Sequence, residues 1–139
     1  LKQLGIPVSY SVGTTISFGP SGTFDPDSEY FVYECDEYDR NFLNFKPALS
    51  LLTSVDYDHP DTYPTEEEYK AAFHQFIEQS EHVIMWDRDA DYLNAKPTSS
   101  WVLDQQVPVD VAGEHNRANA TLVVKALEYL GLGTTPEAR

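Results

Sequence analysis

Glu34-Cys35-Asp36-Glu37-Tyr38-Asp39 places four carboxylates within six residues. They follow Tyr30-Phe31-Val32-Tyr33, a β-branched and aromatic run that reads as a strand. In an open α/β sheet, ligands bind at the carboxyl ends of the strands, which is where this cluster falls. For any one of these residues a solvated acidic loop is the structural alternative, and the roles of Asp36, Glu37 and Asp39 stay open. Glu34 differs because it prolongs the apolar run, and burying an unpaired carboxylate there would be costly. A cation is one way to balance it, and Mg²⁺ favours carboxylate, water and phosphate oxygens.

A second cluster, Asp56-Tyr57-Asp58-His59-Pro60-Asp61, follows another apolar run over residues 49–55. If the two strands are neighbours, Glu34 and His59 face one crevice. A lone histidine is most often structural, but this one follows a core strand between flanking aspartates. A carboxylate and an imidazole so placed can hold a metal or poise a catalytic base, and spacing does not separate the two.

The third cluster is Gly113-Glu114-His115-Asn116-Arg117-Ala118-Asn119. Gly113 permits a tight turn into a helix N-terminus, whose unpaired N–H groups attract anions. Asn116 and Asn119, three residues apart, share one face of the first turn, and their amides offer the donor and acceptor that a purine edge needs. Simple N-capping by Asn116 is the structural alternative. Neither Gly-x-x-x-x-Gly-Lys-[Ser/Thr] nor Gly-x-Gly-x-x-Gly occurs, so these residues make half a nucleotide site at most.

The elements that must position these clusters alternate. Residues 1–13 read as a helix tail stopped at Gly5 and Pro7, then a strand with Val8, Tyr10 and Val12 at period two. Residues 17–29, rich in Gly and Pro, predict a surface loop or hairpin. The runs 30–34, 49–55 and 82–86 are short and mostly apolar, as inner strands of a covered sheet would be. Thr65-Glu66-Glu67-Glu68 is a capping box, and Tyr69, Ala72, Phe73, Phe76 and Ile77 follow as one helical stripe over 66–79. A short helix is expected over 89–93, and a hairpin or edge strands over 101–103 and 107–111. A last helix over 116–130 ends at Gly131 and Gly133. The pattern predicts a three-layer α/β domain with a mostly parallel sheet flanked by helices and no internal domain boundary.

Composition bounds the function. The 139 residues hold 9 Lys+Arg against 23 Asp+Glu, a formal charge of −14, with 41% hydrophobic residues. That apolar content supports one core, and the charge argues against nucleic acid as a partner. It also repels an anionic nucleotide unless a metal or local basic groups offset it. No segment reads as a membrane span. Cys35 is the only cysteine, which rules out an intramolecular disulfide and argues against a cysteine zinc site.

Taken together, the three clusters resemble the central, ATP-binding domain of the Mur ligases, and within them the branch that adds L-alanine to UDP-N-acetylmuramate. The matching pieces are residues 31–39 with Phe42-Leu43 and Pro47; Leu52-Thr53-Ser54 leading to Asp58-His59-Pro60-Asp61-Thr62-Tyr63; and Gly113-Glu114-His115-Asn116 with Asn119. They occur in family order and cover most of residues 1–130.

The resemblance implies Glu34 and His59 as Mg²⁺-binding, catalytic residues, with Asn116, Asn119 and, less specifically, His115 near the nucleotide. It implies a cytoplasmic ligase of peptidoglycan synthesis that makes an acyl phosphate from ATP and the muramoyl carboxylate, which the amine of L-alanine then attacks. Some relatives carry a carbamylated lysine about fifteen residues past the metal histidine. The alanine-adding branch does not, and this chain has His74 in that region, with Lys70 its nearest lysine.

Two departures from the family stand out. The phosphate loop is expected upstream of Leu1, and the UDP-binding and carboxy-terminal domains are absent from these residues. Only 26 residues separate Trp86 from Gly113, far fewer than the family norm. The chain therefore reads as a single-domain fragment, inactive alone. Alternatives are a Mur-type ligase for murein peptide recycling or folate polyglutamylation, a Mg²⁺-dependent phosphohydrolase using Glu34, Asp36 and His59, or a non-catalytic module.

Overall fold

In a computed structural model of the chain, residues 1–17, 19–95 and 98–133 are described here. Phe18, within the loop expected over 17–29, lies outside them. The chain packs as two compact units, Leu1–Glu37 and Tyr38–Arg139.

The first unit opens with a 3-10 turn, Lys2–Leu4, closed by Gly5 at φ 68°, a left-handed value that suits glycine. Three strands follow: β1 (Val8–Ser11), β2 (Gly22–Thr23) and β3 (Tyr30–Tyr33). β1 is central, antiparallel to β2 and parallel to β3, with Val8 opposite Tyr30 and Ser11 opposite Tyr33. β2 lies within the Gly/Pro-rich segment expected as a loop or hairpin, but its partner, β1, precedes that segment. β3 corrects the reading of an inner, covered strand. It lies at the edge of this sheet, and Phe31, Val32 and Tyr33 are exposed. A short apolar run does not specify what covers it, and here Phe31 and Tyr33 stack on one another, with ring centroids 6.2 Å apart.

The second unit holds β4 (Ser50–Leu51), α1 (Glu66–Gln79), β5 (Val83–Trp86), α2 (Asp87–Leu93), β6 (Ser100–Leu103) and α3 (Glu114–Tyr129). Its sheet is parallel, in the order β4-β5-β6. All four residues of β5 are buried, as a strand covered on both faces requires. Ile84 and Trp86 pack on Ala118, Leu122 and Ala126 of α3, with Leu51, Trp101 and Leu103 closing the cluster. Val83 and Met85, of opposite parity, are as deeply buried.

α1 begins at the expected cap, where Thr65 Oγ1 accepts the Glu68 N–H at 3.2 Å. Its buried stripe is the predicted Tyr69, Ala72, Phe73, Phe76 and Ile77. Phe42 lies 5.1 Å from the Phe73 ring and 4.9 Å from Phe76. Tyr63 packs edge-on to Tyr69 at 5.1 Å.

Three expectations shift locally. Of residues 49–55, only Ser50 and Leu51 are a strand, and the chain then leaves the sheet, with the Val55 N–H donating to Asp89. Residues 107–111 form no strand, because the Val107 N–H is satisfied by Thr121 Oγ1 on α3 at 3.1 Å. α3 starts at Glu114 instead of Asn116, with Gly113 as its N-cap at φ 89°. Asn116 is therefore inside the helix and caps nothing.

Candidate functional site: a polar cavity at the strand ends

The sheet of the second unit is parallel, so the carboxyl ends of β4 and β5 lie on one side, and a cavity of about 350 Å³ opens there. Three segments wall it. The chain leaving β4 contributes Thr53, Ser54, Val55 and Asp56. α2, which follows β5 directly, contributes Arg88, Asp89 and Tyr92. α3 contributes His115 and Asn119, four residues apart and so on one helical face.

Asp89 dominates the chemistry. It is 4% exposed, and its Oδ1 accepts the Val55 N–H at 3.2 Å, tying the exit of β4 to the start of α2. Arg88 Nε lies 3.8 Å from the same oxygen. Oδ2 is buried and has no hydrogen-bond partner among the described residues. Burial pushes the Asp89 carboxyl above the usual carboxylate range, outweighing the Val55 bond and the Arg88 charge, while Asp56 and Asp87 push the same way as burial. Tyr92 is pushed up to about 12 by burial first and by the Glu66 carboxylate next, so its phenol stays protonated. The Lys70 ammonium sits over its ring, 4.1 Å from the centroid.

The sequence-predicted residues divide. His115 and Asn119 come together on the cavity wall. Asn116 does not line it, and its Nδ2 donates to the Ala112 carbonyl at 2.9 Å. His59 is also outside the lining. It holds a left-handed φ of 56°, and its carbonyl accepts the N–H groups of Thr62 and Tyr63, both at 2.9 Å. Its ring meets Tyr38 edge-on at 5.2 Å, and Nε2 stands 3.9 Å from Asp58 Oδ2.

Glu34 belongs to the first unit. It is exposed, which corrects the premise that its carboxylate is buried, and its Oε2 accepts the Gly13 N–H at 2.8 Å. The strand ends just before it, so the side chain reaches water. Cys35 beside it is held as a thiol: burial, then Asp36 and Glu37, push it up to about 11.

Among the described residues, no three His, Cys, Asp or Glu side chains converge as a ready cation site. The donor chemistry of Glu34 still suits Mg²⁺, a hard ion that takes one or two protein carboxylates and fills its shell with water and phosphate oxygens. A carboxylate accepting one N–H keeps capacity for such an ion.

Sequence reasoning missed Asp89. A signal was present: within 89–93, Asp89 shares a helical face with Leu93, four residues on, so a charge falls on the apolar side.

Parallel strands flanked by helices, with a polar cavity at their carboxyl ends, define an α/β protein of the kind that binds ligands at strand ends. No family model matches the chain. The chain is 40% identical over 80 residues to the UDP-N-acetylmuramate–L-alanine ligase of Chloroflexus aggregans, a match spanning 57% of this chain and 17% of that protein. With the same ligase of Lactiplantibacillus plantarum, identity is 32% over 112 residues, 80% of this chain and 23% of that one.

Among solved structures, the UDP-N-acetylmuramate–alanine ligase of Thermotoga maritima matches with a TM-score of 0.74 at 19% identity. That match covers 94% of this chain and 36% of that one, a likeness of fold. The chain is thus a relative of the Mur ligases, and its sequence kinship is with the alanine-adding ligases. It spans about a fifth of the length of the curated relatives it matches.

Proposed function

We propose that this chain is part of the central, ATP-binding domain of a Mur-type ligase that joins L-alanine to UDP-N-acetylmuramate in peptidoglycan synthesis. The carrying observation is the sequence kinship with ligases of that name over up to 80% of the chain. The cavity supports it, because it brings His115 and Asn119 together at the strand ends, where such a domain would seat its nucleotide.

In this reading His115, Asn116 and Asn119 lie near the nucleotide, and the Nδ2 of Asn116 also donates to the Ala112 carbonyl. Glu34 and His59 are the Mg²⁺ contacts and the residues on which catalysis depends. When bound, Mg²⁺ would neutralise phosphate charge next to a strongly acidic chain. The UDP-binding and carboxy-terminal domains, together with a phosphate loop, complete the enzyme, which works in the cytoplasm. The described residues include no helix long and apolar enough to cross a membrane.

The test is calorimetric titration with Mg·ATP of the longest natural form of the protein and of its Glu34→Ala and His59→Ala variants. Each substitution is expected to weaken metal-dependent nucleotide binding at least tenfold while leaving the thermal transition in place. Wild-type affinity in both variants would overturn the metal assignment, and no binding by the parent would overturn the ligase reading.

A further inference from the structure

Left-handed backbone gathers around His59. Among the described residues, four other than glycine have φ between 50° and 58°: Asp39, Arg40, His59 and Asn94. Asn94 closes α2 as a helix C-cap, a place where asparagine commonly takes this conformation. The other three lie in two segments, 38–44 and 58–63, that touch one another. Asp and His visit this region more readily than most residues, but Arg does not, and two such residues in succession are costly. Backbone of this kind persists only where its surroundings enforce it, and it collects at functional sites.

The surroundings here are specific. Arg40 Nη2 donates to Glu68 Oε2 on α1 at 3.3 Å, and its guanidinium lies over the Tyr63 ring, 5.0 Å from the centroid. The exposed ion pair adds little stability, but Tyr63 is fully buried and gives the guanidinium a fixed platform. Held there, the turn at Asp39 and Arg40 brings Tyr38 edge-on to the His59 ring at 5.2 Å. The His59 main chain is fastened separately. Its N–H donates to Asp58 Oδ1 at 2.7 Å, and its carbonyl accepts from Thr62 and Tyr63. Those bonds act on the backbone, whereas the Tyr38 ring acts on the imidazole itself.

We propose that Tyr38 is a positioning residue for His59: the anchored left-handed turn presents its ring as a wall that holds the imidazole in the orientation a divalent cation needs. A metal contact works only when its own rotamer is fixed by packing, and an edge-on aromatic pair supplies that. The inference rests on the metal reading of His59 given above, and it adds Tyr38, which has no part in that reading.

The experiment titrates the longest natural form of the protein with ATP by calorimetry, once with Mg²⁺ and once with EDTA in place of the metal. Tyr38 is half-exposed, so shortening it opens no core cavity and the fold is expected to survive. In Mg²⁺, Tyr38→Ala should bind ATP about fivefold more weakly than wild type, the scale of one aromatic contact, while Tyr38→Phe, which keeps the ring, binds as wild type does. In EDTA all three should be alike, a pattern that general loosening of the fold would not give. Where metal-free binding is too weak to read, the contrast between alanine and phenylalanine decides. If Tyr38→Ala fails to fold by circular dichroism, Tyr38→Leu takes its place with the same expectation.

Wild-type affinity of the ringless variant in Mg²⁺ would overturn the role of Tyr38. So would an equal loss in Mg²⁺ and EDTA, or a Tyr38→Phe variant as weak as Tyr38→Ala, which would make the hydroxyl responsible. His59→Ala, titrated alongside, separates the two claims. A loss there with no loss in the Tyr38 variants sinks the positioning alone, whereas no loss in His59→Ala sinks the metal reading and this inference with it.

Discussion

Asp89 is where residue-scale physics is sharpest. Its carboxyl is raised in the folded state because burial opposes ionisation, so the folded protein binds this proton more tightly than the unfolded chain does. Stability from the protonated form is fully present below the ordinary carboxylate pKa and is lost as pH rises through the higher folded value. Asp89→Asn should therefore be more stable than wild type at neutral pH, with the difference shrinking toward acid pH. Urea denaturation of both proteins at pH 4 and pH 7 checks this. A variant less stable than wild type at pH 7 would show that the ionised carboxylate is better paired than its bare Oδ2 indicates. Glu34 is the counter-example. In sequence it looked like the buried charge, yet it reaches solvent and holds the Gly13 N–H.

At the scale of elements, α3 carries the candidate nucleotide contacts, and Gly113 sets where it begins. With φ 89° and ψ 140°, Gly113 occupies backbone space that a side chain rarely tolerates, and an added Cβ would stand 3.5 Å from Asn116 Nδ2. Gly113→Ala should cost about 1–3 kcal/mol of stability, read from denaturant unfolding, and displace the amide signals of the first turn. A loss confined to a few tenths of a kcal/mol would mean that the turn relaxes freely.

α1 needed no such correction, because a capping box followed by an i, i+3, i+4 stripe names both its start and its buried face. Residues 107–111 did need one. Alternating valines resemble a strand, but the hydroxyl of Thr121, itself fully buried, takes the Val107 N–H and draws the segment onto α3.

For the whole molecule the governing quantity is the formal charge of −14. The exposed ion pairs Arg40–Glu68 and Lys70–Glu66 contribute little. Self-repulsion therefore outweighs pairing, and screening relieves it. Raising NaCl from about 0.02 to 0.5 M is expected to raise the thermal midpoint, measured by calorimetry. A fall would show that attractive pairs dominate.

Local patterns in the sequence determined the α/β alternation, the course of α1, the glycine stops and the kinship with the Mur ligases. Each of these depends on residues close together in the chain, where periodicity, capping and φ preferences act directly. Which strands are covered, where Asn116 points, that Glu34 is exposed and that Asp89 is buried beside His115 and Asn119 were decided only by tertiary structure. Burial and pairing depend on neighbours far away in sequence, and no window of adjacent residues contains them.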